Sequence, residues 1–278
     1  MSSSPTATNA QLIEMWVHGK SVNTQNAYRR YANNFFDHLG GKPLAGITLM
    51  DVQTWQLTIS RSPNSQRVAI GAIKSLLSFA HQLGIIPSNV GILVRSPAAK
   101  NKLAEKILTP DQVQSLIAAA SNGRNRAILR LLYSGGLRVS ELCQLQWRDL
   151  KERENGGQVT VFGKGDKTRV VLLGKNVWGE VSVLRGDATE NDPVFVSNKG
   201  GSLSRTMVFY MVKKTAVRAG LSSEVSPHWL RHSHASHSLE AGAPIHLVQK
   251  TLGHSSVQIT EKYLHARPTD SSGLYLPD

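Results

Sequence analysis

The chain of 278 residues has a single cysteine, Cys143. That excludes an intrachain disulfide and a zinc site built on paired thiolates, and it points to a reducing, intracellular compartment. Long apolar runs are missing as well. The longest, such as "AILRLL" and "VVLLG", are core-sized and fall far short of the ~20 residues of a spanning helix. The opening "MSSSPTATNA" has neither the basic nor the apolar segment of a secretory signal. Acidic residues are scarce: 19 Asp+Glu face 32 Lys+Arg, giving a net charge of +13. Residues 1–100 carry nine basic and three acidic residues, and residues 101–278 carry 23 and 16. Both halves are basic, so the excess is not a tail. Such a balance favours a polyanionic partner, nucleic acid ahead of a membrane surface.

What is present is ordinary globular material. Hydrophobic content is 40%, enough for packed cores, and the length suggests two domains. Helical periodicity begins with Leu12, Ile13, Trp16 and Val17 on one stripe. In "SVNTQNAYRRYANNFFDHLGG", Asn23 or Thr24 can cap a helix whose Tyr28, Tyr31, Phe35 and Leu39 share a face, with Gly40 and Gly41 as its stop. Thr48 and Asp51 form a start resembling a capping box. A fourth helix turns Val68, Ile70, Ile73, Leu76, Leu77 and Ala80 inward. Residues 9–95 therefore read as a small all-α domain. Residues 96–108, poor in apolar periodicity and rich in Lys, read as a basic linker. Thr109, Pro110 and Asp111 open a second, mostly helical domain over 109–266. Strand signals occur only in "QVTVFG" and "TRVVLLG", around the turn "KGDK". Helices are expected over 204–219, 227–241, 244–252 and 256–265.

Several positions suit phosphate chemistry. "SGGLRVSEL" puts Arg138 at a helix start, where a guanidinium fork and free backbone N–H groups can meet an anion. "VFGKGDKTRVV" puts Lys164 and Lys167 on a hairpin tip that can reach into a groove. "SPHWLRHSHASHSLEAG" brings His228 and Arg231 onto one helical face. Its further histidines, His232, His234 and His237, invite a metal reading. The i,i+4 and i,i+3 pairs face different ways, however, no cysteine or i,i+4 carboxylate completes either, and no HExxH occurs, so no bound metal is expected. "LGHSSVQITEKYLHA" supplies His254 after a helix-ending glycine and Tyr263 nine residues later.

The ordered runs "GGLRVSELCQLQWRDL", "VFGKGDKTRVV" and "SPHWLRHSHASHSLEAGAPIHLVQKTLGHSSVQITEKYLH" resemble the catalytic domain of tyrosine recombinases, especially the two-domain Xer-like site-specific recombinases. The helical 9–95 segment resembles that family's core-DNA-binding domain. The resemblance implies a mostly α fold: a four-helix DNA-binding domain, then a mainly helical α+β catalytic domain with a small antiparallel sheet. It also implies strand cleavage and rejoining of double-stranded DNA through a 3′-phosphotyrosyl intermediate, without metal, ATP or other cofactor. Carried onto this chain, Arg138 and Arg231 would clamp the phosphate and His254 would hydrogen-bond it. His228 would help to take the proton of the nucleophile Tyr263, and Lys164 would protonate the departing 5′-oxygen. Glu141 would orient Arg138. Arg29, Arg30, Lys74, Lys167, Arg205, Lys213 and Lys214 are candidate DNA contacts.

The family reading further implies a tetramer on DNA, of this chain alone or paired with a related recombinase, in the cytoplasm with the nucleoid and away from membrane. No arm-binding domain is expected ahead of residue 9. The tail 267–278, with Pro268 and Gly273, is expected to touch a neighbouring subunit without forming a long helix. Chromosome-dimer resolution is the first task to consider. A mobile-element integrase and a type IB topoisomerase share the chemistry, and a non-catalytic DNA-binding protein shares only the charge.

Overall fold

The computed structural model describes residues 8–59, 62–98, 103–163, 168–198 and 200–264. Lys164, Lys167, the Pro268 and Gly273 of the tail, and the rest of 267–278 lie outside them. The chain divides into two compact units, Met1–Lys100 and Asn101–Asp278.

The first unit holds α1 (Asn9–Val17), α2 (Val22–Leu39), α3 (Leu49–Thr58) and α4 (Pro63–Gln82). Caps define the entries. Thr8 and Gln11 form a reciprocal capping box on α1, as Thr48 and Asp51 do on α3. The cap of α2 is Ser21 rather than Asn23 or Thr24, which lie inside the first turn. Ser21 has the extended backbone of a cap residue, and its hydroxyl bonds that of Thr24 at 2.9 Å. Gly40, at φ 58°, ends α2 in the left-handed region that glycine adopts without strain. Leu12, Trp16, Phe35, Trp55, Ile73 and Leu77 fill the core, and each large apolar side chain so buried contributes about 1.5–3 kcal/mol. The indole N–H of Trp55 donates to Asn34 Oδ1 at 2.8 Å, so burial leaves no donor stranded. Val68 is the exception to the inward face expected of α4. It is 44% exposed, because the face narrows over the first turns of that helix and Ala69 and Ile70 take the buried places.

The second unit opens with α5 (Pro110–Ala118), capped by Thr109 with proline at its first position. It continues through α6 (Gly123–Ser134), α7 (Val139–Gln144), the strands β1 (Leu150–Arg153), β2 (Gly156–Phe162) and β3 (Thr168–Gly174), and α8 (Lys175–Ser182). α9 (Arg205–Arg218), α10 (Pro227–Glu240), α11 (Ile245–Leu252) and α12 (Val257–Leu264) complete the described part. The three strands pair antiparallel in chain order, with Val159 opposite Val171 and Phe162 opposite Thr168. β1 and α8 carry no clear sequence signal and were not expected. α8 covers the sheet so closely that a Cβ on Gly157 would stand 2.0 Å from Trp178 Cε3, which only glycine avoids. Ile128, Leu129, Leu131 and Leu132 of α6 lie at the centre of the main core. A smaller cluster joins Ile107, Ala235, Val248, Leu252 and Tyr263, fixing α12 against α10 and α11.

Among the described residues no helix is long and apolar enough to cross a membrane.

Candidate active site

α11 ends at Leu252 with Gly253 in the left-handed conformation, φ 63°. A helix end leaves its last carbonyls without intrahelical partners. Here three consecutive ones are each taken by a different arginine. Arg169 Nε donates to Thr251 O at 2.7 Å, Arg231 Nη2 to Leu252 O at 2.6 Å, and Arg138 Nη2 to Gly253 O at 3.0 Å. Arg231 also donates to Gly136 O at 2.6 Å. That loop can close on α10 because Gly136, at φ 58°, has no side chain to meet Leu252 and His234. Positive charge at a helix C-terminus is also favoured by the helix dipole.

One carboxylate balances the group. Glu141 Oε1 accepts from Arg138 Nη1 at 2.8 Å and from Arg169 Nη1 at 2.9 Å. Its Oε2 accepts from the Arg138 backbone N–H and from Arg169 Nη2, both at 2.7 Å. Burial pushes this carboxyl up, but the hydrogen bonds from Arg169 and Arg138 outweigh that and hold it below the usual carboxylate range. Glu141 thus bonds Arg138, the residue it was expected to orient, and also Arg169, a partner that sequence reasoning missed. Arg169 sits on β3 in register with the buried Val171 and Leu173. A charged residue on the buried face of a strand requires a counter-charge, and that was the available signal.

Arg138 and Arg231 differ in exposure. The Arg138 side chain is 37% exposed and Arg231 only 5%. Burial, then the charge of Arg138, brings Arg231 down to about 10, still protonated at neutral pH. Arg138, Glu141, Arg169, Lys250, Gly253 and His254 line an open cleft of about 1430 Å³. His254 Nδ1 lies 2.9 Å from the Thr260 hydroxyl. A threonine that donates there leaves the His254 proton on Nε2, the tautomer suited to donating to a phosphate oxygen.

Tyr263 is 7% exposed, and its ring stacks on His254 at 6.3 Å and 9°. Burial raises the phenol, with Arg231 pulling the other way. The imidazole on its hydroxyl is His232, with Nδ1 2.7 Å from Oη. His228 lies one turn earlier on α10, its ring 6.4 Å from that of His232, and its imidazole is lowered by burial and then by Arg231. The structure thus brings Arg138, Glu141, His228, Arg231, His254 and Tyr263 to one end of the second unit. Sequence reasoning did not assign His232, Arg169 or Thr260 to it.

Of the expected DNA contacts, Arg205, Lys213 and Lys214 are exposed along α9. Arg29 makes a two-point ion pair with Glu14 at 2.8 Å. Lys74 donates to Val94 O at 2.9 Å, and Arg30 lies over the Tyr31 ring at 5.0 Å. Among the described residues no three of His, Cys, Asp and Glu group so as to hold a metal ion.

His232, His234 and His254 are each brought down from 6.5 to about 4, by burial first. Their folded values lie below the unfolded one, so the unfolded chain takes up protons first as pH falls. Their contribution is whole above pH about 6.5 and lost between there and about 4. The thermal midpoint of the second unit is therefore expected to fall from pH 7 to pH 5, and an unchanged midpoint would contradict these buried, neutral imidazoles.

A family model described as the phage integrase family matches residues 106–270. The chain belongs to the phage integrase family. Among integrase-family relatives, tyrosine recombinase XerD of Staphylococcus epidermidis (strain ATCC 35984) is 32% identical over 275 residues, covering 92% of each chain. Tyrosine recombinase XerC of Xanthomonas campestris pv. campestris (strain B100) is 37% identical over 210 residues. That match covers 73% of this chain and 64% of the relative, less than two thirds of its length. A crystal structure of XerH site-specific recombinase bound to its difH substrate matches with a TM-score of 0.73 at 20% identity, covering 98% of this chain and 84% of that one. A lambda integrase dimer on a core site matches at 0.79, also at 20% identity, over 95% of each. At these identities the likeness to the two structures is one of fold.

Proposed function

We propose that this protein is an Xer-type site-specific recombinase, which cuts and rejoins double-stranded DNA through a 3′-phosphotyrosyl bond at Tyr263. The observation that carries the reading is the convergence of Arg138, Arg231 and His254 on the end of α11 beside a buried tyrosine. A phosphodiester repels nucleophiles with its own negative charge, and a phenol is a weak nucleophile near neutral pH. Two permanently charged guanidinium groups and one N–H donor on the non-bridging oxygens address the first difficulty. Proton transfer addresses the second. Tyr263 Oη forms the bond to phosphorus as the bond to the 5′-oxygen breaks. Lys164, assigned from its place in the "GKGDK" motif, gives that oxygen its proton. His228 supports the phosphate, and Glu141 holds Arg138. A 5′-hydroxyl from a second strand then reverses the step and releases the tyrosine.

In this reading residues 9–95 are the core-DNA-binding domain, 96–108 a basic linker, 109–266 the catalytic domain and 267–278 a contact to the next subunit of a tetramer. Arg205, Lys213 and Lys214 of α9 serve as phosphate contacts. Basic surface on both units gives affinity that falls steeply with salt. The protein works in the cytoplasm, with the nucleoid.

The test is to incubate the protein with a random-sequence library of nicked duplexes, trap covalent adducts and sequence the bound DNA. Recovery of one recurring site, with phosphotyrosine at residue 263 by mass spectrometry, is the expected result. Absence of adducts, or attachment through another residue, would sink the proposal. Relaxation of supercoils without site preference would favour a topoisomerase.

A further inference from the structure

We infer that His232 is a catalytic residue, taking the Tyr263 proton as the tyrosine attacks and returning it when the strand is rejoined. The inference rests on the reading of Tyr263 as nucleophile. Its basis is contact: His232 Nδ1 is 2.7 Å from Tyr263 Oη, a short distance for a hydroxyl-to-imidazole bond, and the rings are 5.7 Å apart. Proton transfer needs the acceptor within such reach of the proton it takes.

The neighbouring groups are poorly placed or already engaged. Arg138, Arg169 and Arg231 are protonated and have no acceptor. Both oxygens of Glu141 are filled by arginine N–H groups. His254 Nδ1 is held by Thr260, and its ring is stacked nearly parallel to that of Tyr263 with the centroids 6.3 Å apart. His228 stands behind His232, ring to ring at 6.4 Å.

The surroundings also set the timing. Burial, then the charges of His228, Lys106 and Arg231, keep His232 neutral, so an acceptor lone pair is available. Those same charges make it a weak base while the site is empty. A phosphodiester brought to Arg138 and Arg231 adds negative charge nearby, which opposes the depression and strengthens the imidazole when the proton must move. The step balances. The Oη–H proton passes to Nδ1 as Oη bonds phosphorus and the 5′-oxygen leaves with a proton from its own donor. On rejoining, the imidazolium gives its proton back to the departing phenolate.

The test uses the full-length protein and the nicked duplexes that the unsubstituted protein selects from the random library. His232→Phe removes the acceptor. His232→Asn keeps an acceptor oxygen near the place of Nδ1 but cannot take a proton. Both are expected to slow adduct formation on the order of 10²-fold with DNA binding retained. His232→Asn keeps the Tyr263 hydroxyl bonded and the thermal midpoint near that of the unsubstituted protein, whereas His232→Phe lowers it by the cost of one stranded hydroxyl. Fluorotyrosine at position 263, a more acidic phenol, is expected to restore a larger share of the rate in His232→Asn than it adds in the unsubstituted protein. Adduct formation within twofold of the unsubstituted rate in either variant would overturn the inference, as would an equal response to fluorotyrosine in both backgrounds. Imidazole nitrogen NMR of the unsubstituted protein needs no variant: a proton on Nε2 of His232 is expected, and one on Nδ1 overturns the assignment. Tyr263→Phe separates the two readings. Adducts that survive it remove the nucleophile itself, whereas their loss beside full activity of the His232 variants removes only the role of His232.

Discussion

Tyr263→Phe is expected to abolish covalent protein–DNA adducts while leaving the protein folded and able to bind DNA. The ring contributes most of what Tyr263 gives the fold, packing with Ile107, Ala235, Val248 and Leu252. Phenylalanine keeps that surface. What it loses is the single bond from the hydroxyl to His232, worth about 1 kcal/mol in stability. Chemistry loses far more, since no other group can form the phosphotyrosyl bond. Deleting a nucleophile costs a rate factor on the order of 10⁶. Adducts resistant to detergent on a nicked duplex measure the first effect, and thermal unfolding with a gel-shift titration measures the second. Persistent adducts, or collapse of the fold, would each contradict the roles assigned to this side chain.

Glu141→Ala is expected to be the most damaging substitution to the site that spares the nucleophile. Its carboxylate, 5% exposed, is shared by Arg138 and Arg169, with Arg231 close behind. Removing one partner of a buried ionic group strands the others, at a cost of about 3–5 kcal/mol. Arg138 would then lose the bond that aims it, and adduct formation would fall with stability. Glu141→Gln keeps the shape but not the charge, and separates packing from electrostatics. Its acid behaviour also has a definite sign. The folded carboxyl titrates below its unfolded value, so its contribution is present above pH about 4.5 and is lost as pH falls through the folded value. The glutamine variant lacks that lowest part of the acid decline, while the histidine part, between about 6.5 and 4, remains. Identical acid profiles for the two proteins would show that Glu141 carries no such charge.

How much of this was legible in the sequence depended on how local the signal was. Thr48 with Asp51, and Thr109 with Pro110, announce helix starts within four residues, and the structure has them there. The hairpin of β2 and β3 follows from two alternating runs around a turn. β1 is a four-residue strand, "LKER", with one buried position, too short for any period to show. α8 begins after a glycine with no side-chain cap, so nothing marks its start. The site divides in the same way. Arg138, His228, Arg231, His254 and Tyr263 belong to recognisable motifs. Arg169 and Thr260 act through partners 28 and six residues away, Glu141 and His254, and those pairings exist only once the chain is folded. His232 was visible as one more histidine, and only the approach of α12 to α10 gives it a tyrosine.

The end of α11 works as a ruler. Three arginines from β3, α10 and the start of α7 are each fastened to one of three successive peptide groups, 251 to 253. Side-chain partners could drift independently, but successive carbonyls at a helix end are spaced by the backbone itself. Inserting or deleting one residue within α11 would turn its end by about 100° relative to the rest, and all three guanidinium groups would lose their marks together. Point substitutions on the outer face of α11 leave the marks in place. The spacing of the site is thus written in the length of one short helix, so the site tolerates changes of side chain along α11 far better than changes of register.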